Sequence, residues 1–348
     1  VPTALSIALQ EGLLNDEFPT HKGIRIRALQ DADDPLIAQS HFTHSQPNSM
    51  RHGSNYPAIW AQASGADTRI IGLSGLRGAQ AILSLPYSGI RHPRDLKGKR
   101  LLVLRRPNEP IDYVYANTLR FYELALSQVG LDLSDVNLVE KVIKRSFIND
   151  RLTQTYTDDN RVKVITGADR PGRWSDSVYS LIRGEVDAIT SGGAIGAPTL
   201  EYGFLLGLWP VFDLTSLASD IDRANNGSPL VFAVKSDLLE QRPDLIHRIL
   251  LRVLQAEQRL RQRPSDAVRY VAREQSSAEF LVEQAYGNKL IENLTLCFDL
   301  EKIAALKSQV DFLHRHGFIK NKVDVDAWLA PEYLTQARKE FEINSRTI

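Results

Sequence analysis

A single cysteine, Cys297, is all the thiol chemistry this 348-residue chain carries. A lone cysteine forms no internal disulfide, so the redox compartment stays open. In the apolar run LTLCFDL it reads as an inert buried thiol of a helical tail. Net charge is lacking too: 42 Lys and Arg balance 42 Asp and Glu. Such a chain has no broad electrostatic footprint for nucleic acid or an anionic membrane, so an anion must be held by a local site. No apolar run approaches a membrane span, and no signal peptide is visible. Repeats and low-complexity tracts are absent. The chain opens at VPTALSIALQEGLL rather than at a methionine, and we expect a processed or trimmed product.

What is present is a real core. The chain is 43% hydrophobic and 24% charged, as globular proteins are, and its length suits about two domains. VPTALSIALQEGLL predicts an amphipathic helix with Pro2 in its first turn. GIRIRALQ predicts a strand with Ile24 and Ile26 on one face. PAIWAQASGAD predicts a helix ending at Gly65, TRIIGLS a buried strand, and AQAILSLPYS a strand up to Pro86. A strand follows at Leu101–Leu104. PIDYVYANTLRFYELALSQVG predicts a long helix from near Pro110 to a cap at Gly130. DVNLVEKVI is the next strand, and residues 147–175 are polar and irregular. DSVYSLIRGEVDAIT predicts a helix and a short strand ending near Thr190, before the glycine-rich loop SGGAIGAP. WPVFDL and LVFAV are strands. From Leu238 the chain reads as helix, broken at Gly317 and Pro331.

This alternation implies an α/β protein with parallel sheets covered on both faces. The helical tail should pack back on the first sheet. We therefore expect two lobes with a ligand cleft between them and a C-terminal helical cap. Residues 1–88 would form the first part of lobe I, 89–228 lobe II, and 229–348 the return strand and helices of lobe I. Such clefts favour small ligands, and ligands of open α/β sheets sit beyond the carboxyl ends of strands.

The segment SHFTHSQPNSMRHGSNYP, which follows GIRIRALQ after a short loop, holds the densest polar chemistry. Arg51 offers a fixed fork of N–H groups suited to an oxyanion. His41 donates one N–H when neutral and two when charged. Thr43, Gln46, Ser49 and Ser54 add neutral donors, and Gly53 permits close backbone approach. Asn55 and Tyr56 precede Pro57 at a helix start, where free N–H groups attract anions. Set against this, a polar loop is often only a solvated loop, with Arg51 in a surface ion pair. His44 and His52 read better as ordinary histidines than as ligands. A metal site from His41, His44 and His52 is the lesser reading. Arg105 and Arg106 end a strand and offer either an anion clamp or a solvated turn. Ser191, Gly192 and Gly193 could present backbone N–H groups to a ligand, or simply make a tight turn. Their loop is not a phosphate loop, because the Gly-Lys-Ser/Thr ending is absent. Trp60, Trp174, Trp209 and Trp328 could shape an apolar pocket but are more often core. The charges of RVLQAEQRLRQRPSDAVRYVARE read as the wet face of helices.

VPTALSIALQEGLL, PAIWAQASGADTRIIGLS, HPRDLKGKRLLV, RGEVDAIT and SQVDFLHRHGFIKNKVDVDAW together resemble type II periplasmic solute-binding proteins of the nitrate/sulfonate/taurine branch. The stretch HFTHSQPNSMR resembles more specifically the 2′-hydroxybiphenyl-2-sulfinate desulfinase family, which shares that fold. His41, Phe42, Thr43, Gln46, Pro47 and Arg51 match its pattern. The long segment before RGEVDAIT also resembles it. The resemblance implies that His41 and Arg51 work with a cysteine, whose family position falls just before Val1–Pro2. Cys297 does not match it. The first strand of the fold would also precede Val1, and a family glycine is replaced by Ser54.

Two functions follow from the resemblance. The main reading is a solute-binding protein, not an enzyme, that captures a small sulfonate or sulfinate and delivers it to an ABC transporter permease in the periplasm. The alternative is an aryl-sulfinate desulfinase, cytoplasmic, that releases sulfite with a thiol lying upstream of Val1. Both expect a monomer, a small organosulfur anion, no cofactor, no metal and no nucleic acid. The ligand set is His41, Thr43, Gln46, Arg51, Gly53, Ser54, Arg105, Arg106, Ser191, Gly192 and Gly193, with His41 and Arg51 catalytic in the enzyme.

Overall fold

Thr3 starts the chain's first helix. Its hydroxyl accepts the Ser6 N–H at 3.0 Å while the Ser6 hydroxyl accepts the Thr3 N–H at 2.9 Å, a reciprocal cap. Pro2 therefore precedes the cap and is not in the first turn. Helix α1, Ala4–Gln10, stops before Gly12, whose φ of 76° turns the chain before α2, Leu13–Glu17. One expected helix is thus two. The computed structural model describes residues 2–19, 24, 26, 34–75, 80–143, 175–191, 203, 205–217, 219–225, 227–275 and 277–346. The predicted strand GIRIRALQ, the irregular 147–175 stretch and the SGGAIGAP loop fall largely outside them. Ile24 and Ile26 are described, half-buried, and pack against the same core.

Helix α3 spans Pro35–Thr43, β1 Met50–Gly53, α4 Asn55–Ala63 and β2 Thr68–Ser74. Strands β3 (Ala81–Ser84), β4 (Arg100–Arg105) and β5 (Asn137–Val142) follow, with α5 (Tyr113–Ser127) between the last two. Then come α6 (Ser175–Ile182), β6 (Ile189–Thr190), β7 (Trp209–Asp213), α7 (Asp220–Arg223) and β8 (Leu230–Lys235). The tail is α8 (Ser236–Gln241), α9 (Pro243–Gln262), α10 (Pro264–Gln275), α11 (Glu279–Tyr286), α12 (Leu290–Leu294), α13 (Leu300–Arg315), α14 (Val325–Trp328) and α15 (Pro331–Arg346).

The first sheet has the order β1-β8-β2. Both outer strands run antiparallel to β8, with Arg51 opposite Ala233 and Leu73 opposite Val231. The second sheet, β6-β3-β7, is antiparallel as well, and β4 pairs with β5 in parallel. A parallel bridge from Leu101 to Ala188 joins these two groups. The expectation of parallel sheets holds for β4 and β5 and is corrected for the other two sheets. Strands β1 and β2 are parallel to each other, but β8 returns from the other half of the chain and enters between them from the opposite end.

Strand β8 explains its own apolar run. Leu230, Phe232 and Val234 face a core built with α1, α2, α8 to α12 and α15. Val231 and Ala233 face a second core with α3, α4, α5, α13 and α14. Each of these β8 residues is at most 1% exposed, so no polar residue is tolerated on either side. The helical tail does pack on this sheet. Cys297, however, is not helical. It lies in a short extended link between α12 and α13 and bridges Leu73 at the β2 edge. Its thiol is half-buried, and burial raises its pKa.

Candidate functional site

Strand β1 points its residues alternately to the two faces of the first sheet. His52 goes to the α1 side, where its ring stacks on Phe232 at 5.0 Å and its Nε2 meets Ser74 Oγ at 3.0 Å. Arg51 goes to the other side, toward α3, α4 and the start of α5. It is only 9% exposed. Its Nη1 donates to the Ser54 carbonyl at 2.8 Å, and its Nη2 lies 3.5 Å from His41 Nε2. A guanidinium only donates, so Nε2 can accept from it only in the tautomer whose proton is on Nδ1. The two residues ten apart in sequence thus meet.

Each partner is held by its surroundings. His41 sits in the last turn of α3, where its ring stands edge-on to the fully buried Phe42 at 5.0 Å. Phe42 in turn lies 6.4 Å from Tyr113, the first residue of α5, which carries the second-sheet half of the chain up to this point. Gly53 leaves room for the Arg51 fork: a Cβ there would stand 3.3 Å from Nη2 and 3.4 Å from Cζ, a tight contact that the guanidinium would have to yield to. The connection from α3 to β1 is fixed locally. The Gln46 N–H donates to Ser40 Oγ at 3.0 Å, and Ser49 Oγ donates to the Gln46 carbonyl at 2.7 Å. Thr43 Oγ1 lies 2.8 Å from Ser45 Oγ. Thr43 and Gln46, both half-buried, therefore shape the loop that joins His41 to Arg51.

His44 closes α3 with a left-handed backbone, φ 50°, and is buried. Burial lowers its pKa to about 3, with the Arg51 and Lys235 charges adding to the effect. Burial brings His52 to about 3 as well, helped by the Arg51 charge. Both rings are neutral near pH 7. Among the described residues no three His, Cys, Asp or Glu side chains converge as a metal set.

The other predicted residues lie elsewhere. Arg105 is taken up by two carboxylates, Asp112 Oδ2 at 2.9 Å and Glu140 Oε2 at 2.7 Å, and lies 4.0 Å over the Tyr115 ring. Arg106 is buried, at 5% exposure. Ser191 accepts the Ala81 N–H through Oγ at 2.6 Å and donates its own N–H to the Ala81 carbonyl at 2.7 Å, extending the β3–β6 ladder. Gly192 and Gly193 lie outside the described residues, as does Trp174. Trp328 is core and donates to Thr68 Oγ1 at 3.1 Å, Trp60 is half-buried beside it, and Trp209 stacks on Arg91 at the surface. Cys297 is separated from β1 by β8 and β2. At a strand spacing of about 4.8 Å it lies about 14 Å from Arg51's strand.

The sequence reading missed the segment that buttresses this site. The Asn55 N–H donates to the Gly227 carbonyl at 2.9 Å, and Asn55 Nδ2 donates to the Ser228 carbonyl at 2.8 Å. Tyr56 Oη donates to Asn225 Oδ1 at 3.2 Å. The α4 start therefore offers fewer free N–H groups than expected, since Asn55 is bonded and Pro57 has none. Two surface grooves of about 500 and 710 Å³ contain none of the predicted site residues.

No family model matches the chain. In sequence it is 26% identical over 363 residues to the 2′-hydroxybiphenyl-2-sulfinate desulfinase of Rhodococcus erythropolis, covering 97% of this chain and 91% of that protein. In structure it is similar to a variant of a desulfurization enzyme in complex with biphenyl-2-sulfinic acid. That match has a TM-score of 0.75 at 23% identity and covers 98% of this chain and 96% of the other. A periplasmic sulfonate-binding protein of Methylobacillus flagellatus matches with a TM-score of 0.70 at 15% identity, covering 97% and 89%.

Proposed function

On the type II periplasmic-binding-protein fold of the sulfonate- and nitrate-binding branch, which this chain has, we propose an aryl-sulfinate desulfinase whose His41–Arg51 pair holds the sulfinate. The observation that carries this reading is the buried Arg51 fork set against His41 and braced by the Ser54 carbonyl, with Gly53 leaving room beside it. A sulfinate is a compact anion with two oxygens, and a fixed guanidinium matches it with charge-assisted bonds. Partial burial strengthens those bonds by lowering the local dielectric. The reaction consumes one water: the aryl sulfinate and water give the arene and bisulfite, with the C–S bond broken and a proton delivered to the aryl carbon. Arg51 holds the sulfur-bound oxygens as negative charge shifts onto the leaving group. His41 orients the thiol that serves as nucleophile or proton relay.

That thiol is not Cys297, which lies across two strands from the pair. We assign it to a cysteine encoded just before Val1. The rival reading, capture of a sulfonate for an ABC importer in the periplasm, is supported by the fold shared with sulfonate-binding proteins. The enzyme reading places the protein in the cytoplasm. The test is sulfite release from biphenyl-2-sulfinate by protein produced from the full encoded sequence. Release by the native protein, abolished by Arg51→Ala, is the expected result. Tight sulfinate binding without sulfite release would favour the transport reading. Unchanged sulfinate affinity in Arg51→Ala, where loss of at least about tenfold is expected for a charge-assisted bond, would overturn both.

A further inference from the structure

Residue 227 is separated from Arg51 by most of the second half of the fold, yet it lies against the residue that braces it. A Cβ on Gly227 would stand 2.3 Å from Ser54 Oγ, 2.8 Å from Ser54 Cβ and 3.3 Å from its Cα. Real Cβ atoms do not approach so closely, and two of these three atoms are not the flexible end of a side chain. Gly227 also has φ 80°, which side-chain-bearing residues rarely adopt. The contact is locked on both sides. Asn55 bonds the Gly227 and Ser228 carbonyls, and Tyr56 bonds Asn225. Asn225 itself reaches back to the second sheet's entry, donating to Gln80 Oε1 at 3.2 Å. Asn55, Tyr56 and Asn225 are each at most 1% exposed.

We infer that Gly227 and Ser54 form a positioning contact that fixes the Arg51 fork, by holding the Ser54 carbonyl to which Nη1 is bonded. The segment returning from the second half of the chain thereby sets where the sulfinate-holding group stands. Bulk at 227 displaces the Ser54 backbone, the carbonyl moves with it, and Arg51 loses its registry with His41. The inference rests on the reading of Arg51 as the sulfinate-holding group, but it has a readout that does not.

The experiment is a cycle of Gly227→Ala, Ser54→Gly and the double variant, each as full-length protein. Two measurements are made: affinity for biphenyl-2-sulfinate by calorimetry, and the His41 ring signals in 1H–15N spectra without ligand. Gly227→Ala should weaken binding by about tenfold to a hundredfold, the weight of one charge-assisted hydrogen bond, and should shift the His41 signals. The double variant should match Ser54→Gly in both, because removing the Ser54 side chain makes room for the new methyl. A general loss of stability from the φ strain would persist in the double variant, so only a positioning role predicts rescue. If Gly227→Ala does not fold, Ser54→Val presses on the same contact from the other side, and shifted His41 signals are again expected. Unshifted His41 signals in a folded Gly227→Ala or Ser54→Val protein overturn the inference. So does a shift that Ser54→Gly fails to reverse. If the native protein binds no sulfinate while the His41 cycle behaves as expected, the functional reading fails and the positioning contact stands.

Discussion

Acid should weaken this protein through His44, and the effect can be separated from all other titrations by one substitution. The ring is buried, its Nε2 has no hydrogen-bond partner among the described residues, and the Arg51 and Lys235 charges both oppose protonation. Its pKa falls from the ordinary 6.5 to about 3. Between those values the unfolded chain binds a proton that the folded chain refuses. Stability is therefore fully present above pH 6.5 and drains away as the pH falls toward 3. The slope is about 1.4 kcal/mol per pH unit for one group, so from pH 6.5 to 5 the loss is about 2 kcal/mol. That is a large share of a typical total of about 5–15 kcal/mol. His44→Asn removes the titration and keeps the backbone, because asparagine tolerates the left-handed φ of 50° that residue 44 adopts. Urea unfolding of both proteins at pH 7, 6 and 5 gives the comparison. The variant should start less stable at pH 7, from lost packing, and the gap should close by about 2 kcal/mol at pH 5. Curves that fall in parallel would refute the argument, since they would mean that His44 binds its proton equally in both states.

Two further outcomes test other buried contacts. Glu257, 3% exposed, accepts the Leu296 N–H at 2.8 Å and has its pKa raised by burial to about 7, against the pull of Arg338 and Arg261. Here the folded chain holds the proton longer, so stability is lost as pH rises from 4.5 toward 7; Glu257→Gln should remove that decline in the same urea series while keeping the Leu296 bond. A Cβ at Gly72 would stand 2.9 Å from Leu296 Cδ2, so Gly72→Ala should cost about 1–3 kcal/mol in thermal or urea unfolding. Leu296→Ala should cost less in the Gly72→Ala protein than in the native one, because the truncated side chain makes room for the new methyl.

The elements that the sequence revealed were those whose pattern is local. TRIIGLS and LVFAV read as buried strands because both faces of β2 and β8 are covered, which leaves no place for a polar residue. The helix from Tyr113 was legible from Pro110, its apolar face and Gly130, whose φ is 72°. Parallel sheets were expected because strand-helix alternation is a local signal, whereas the direction of β8 is decided by where the chain re-enters the sheet. The split at Gly12 shows the reverse error: one glycine outweighed a continuous apolar face. His41 and Arg51 were accessible because one helix end and one strand, joined by a six-residue turn from His44 to Ser49, bring them together. Arg105 had the same strand-end address, but its carboxylate partners come from Asp112 on the α5 cap and Glu140 on β5, and no spacing in LLVLRRPNEPID discloses the second of these. Gly227 was hidden for the same reason at longer range. Its value lies in a contact with Ser54, 173 residues away along the chain, so the residue that Ser54 needs opposite it is set by the return of the chain and not by anything near Ser54. A glycine in ANNGSP signals only a turn until the fold supplies the side chain it must avoid.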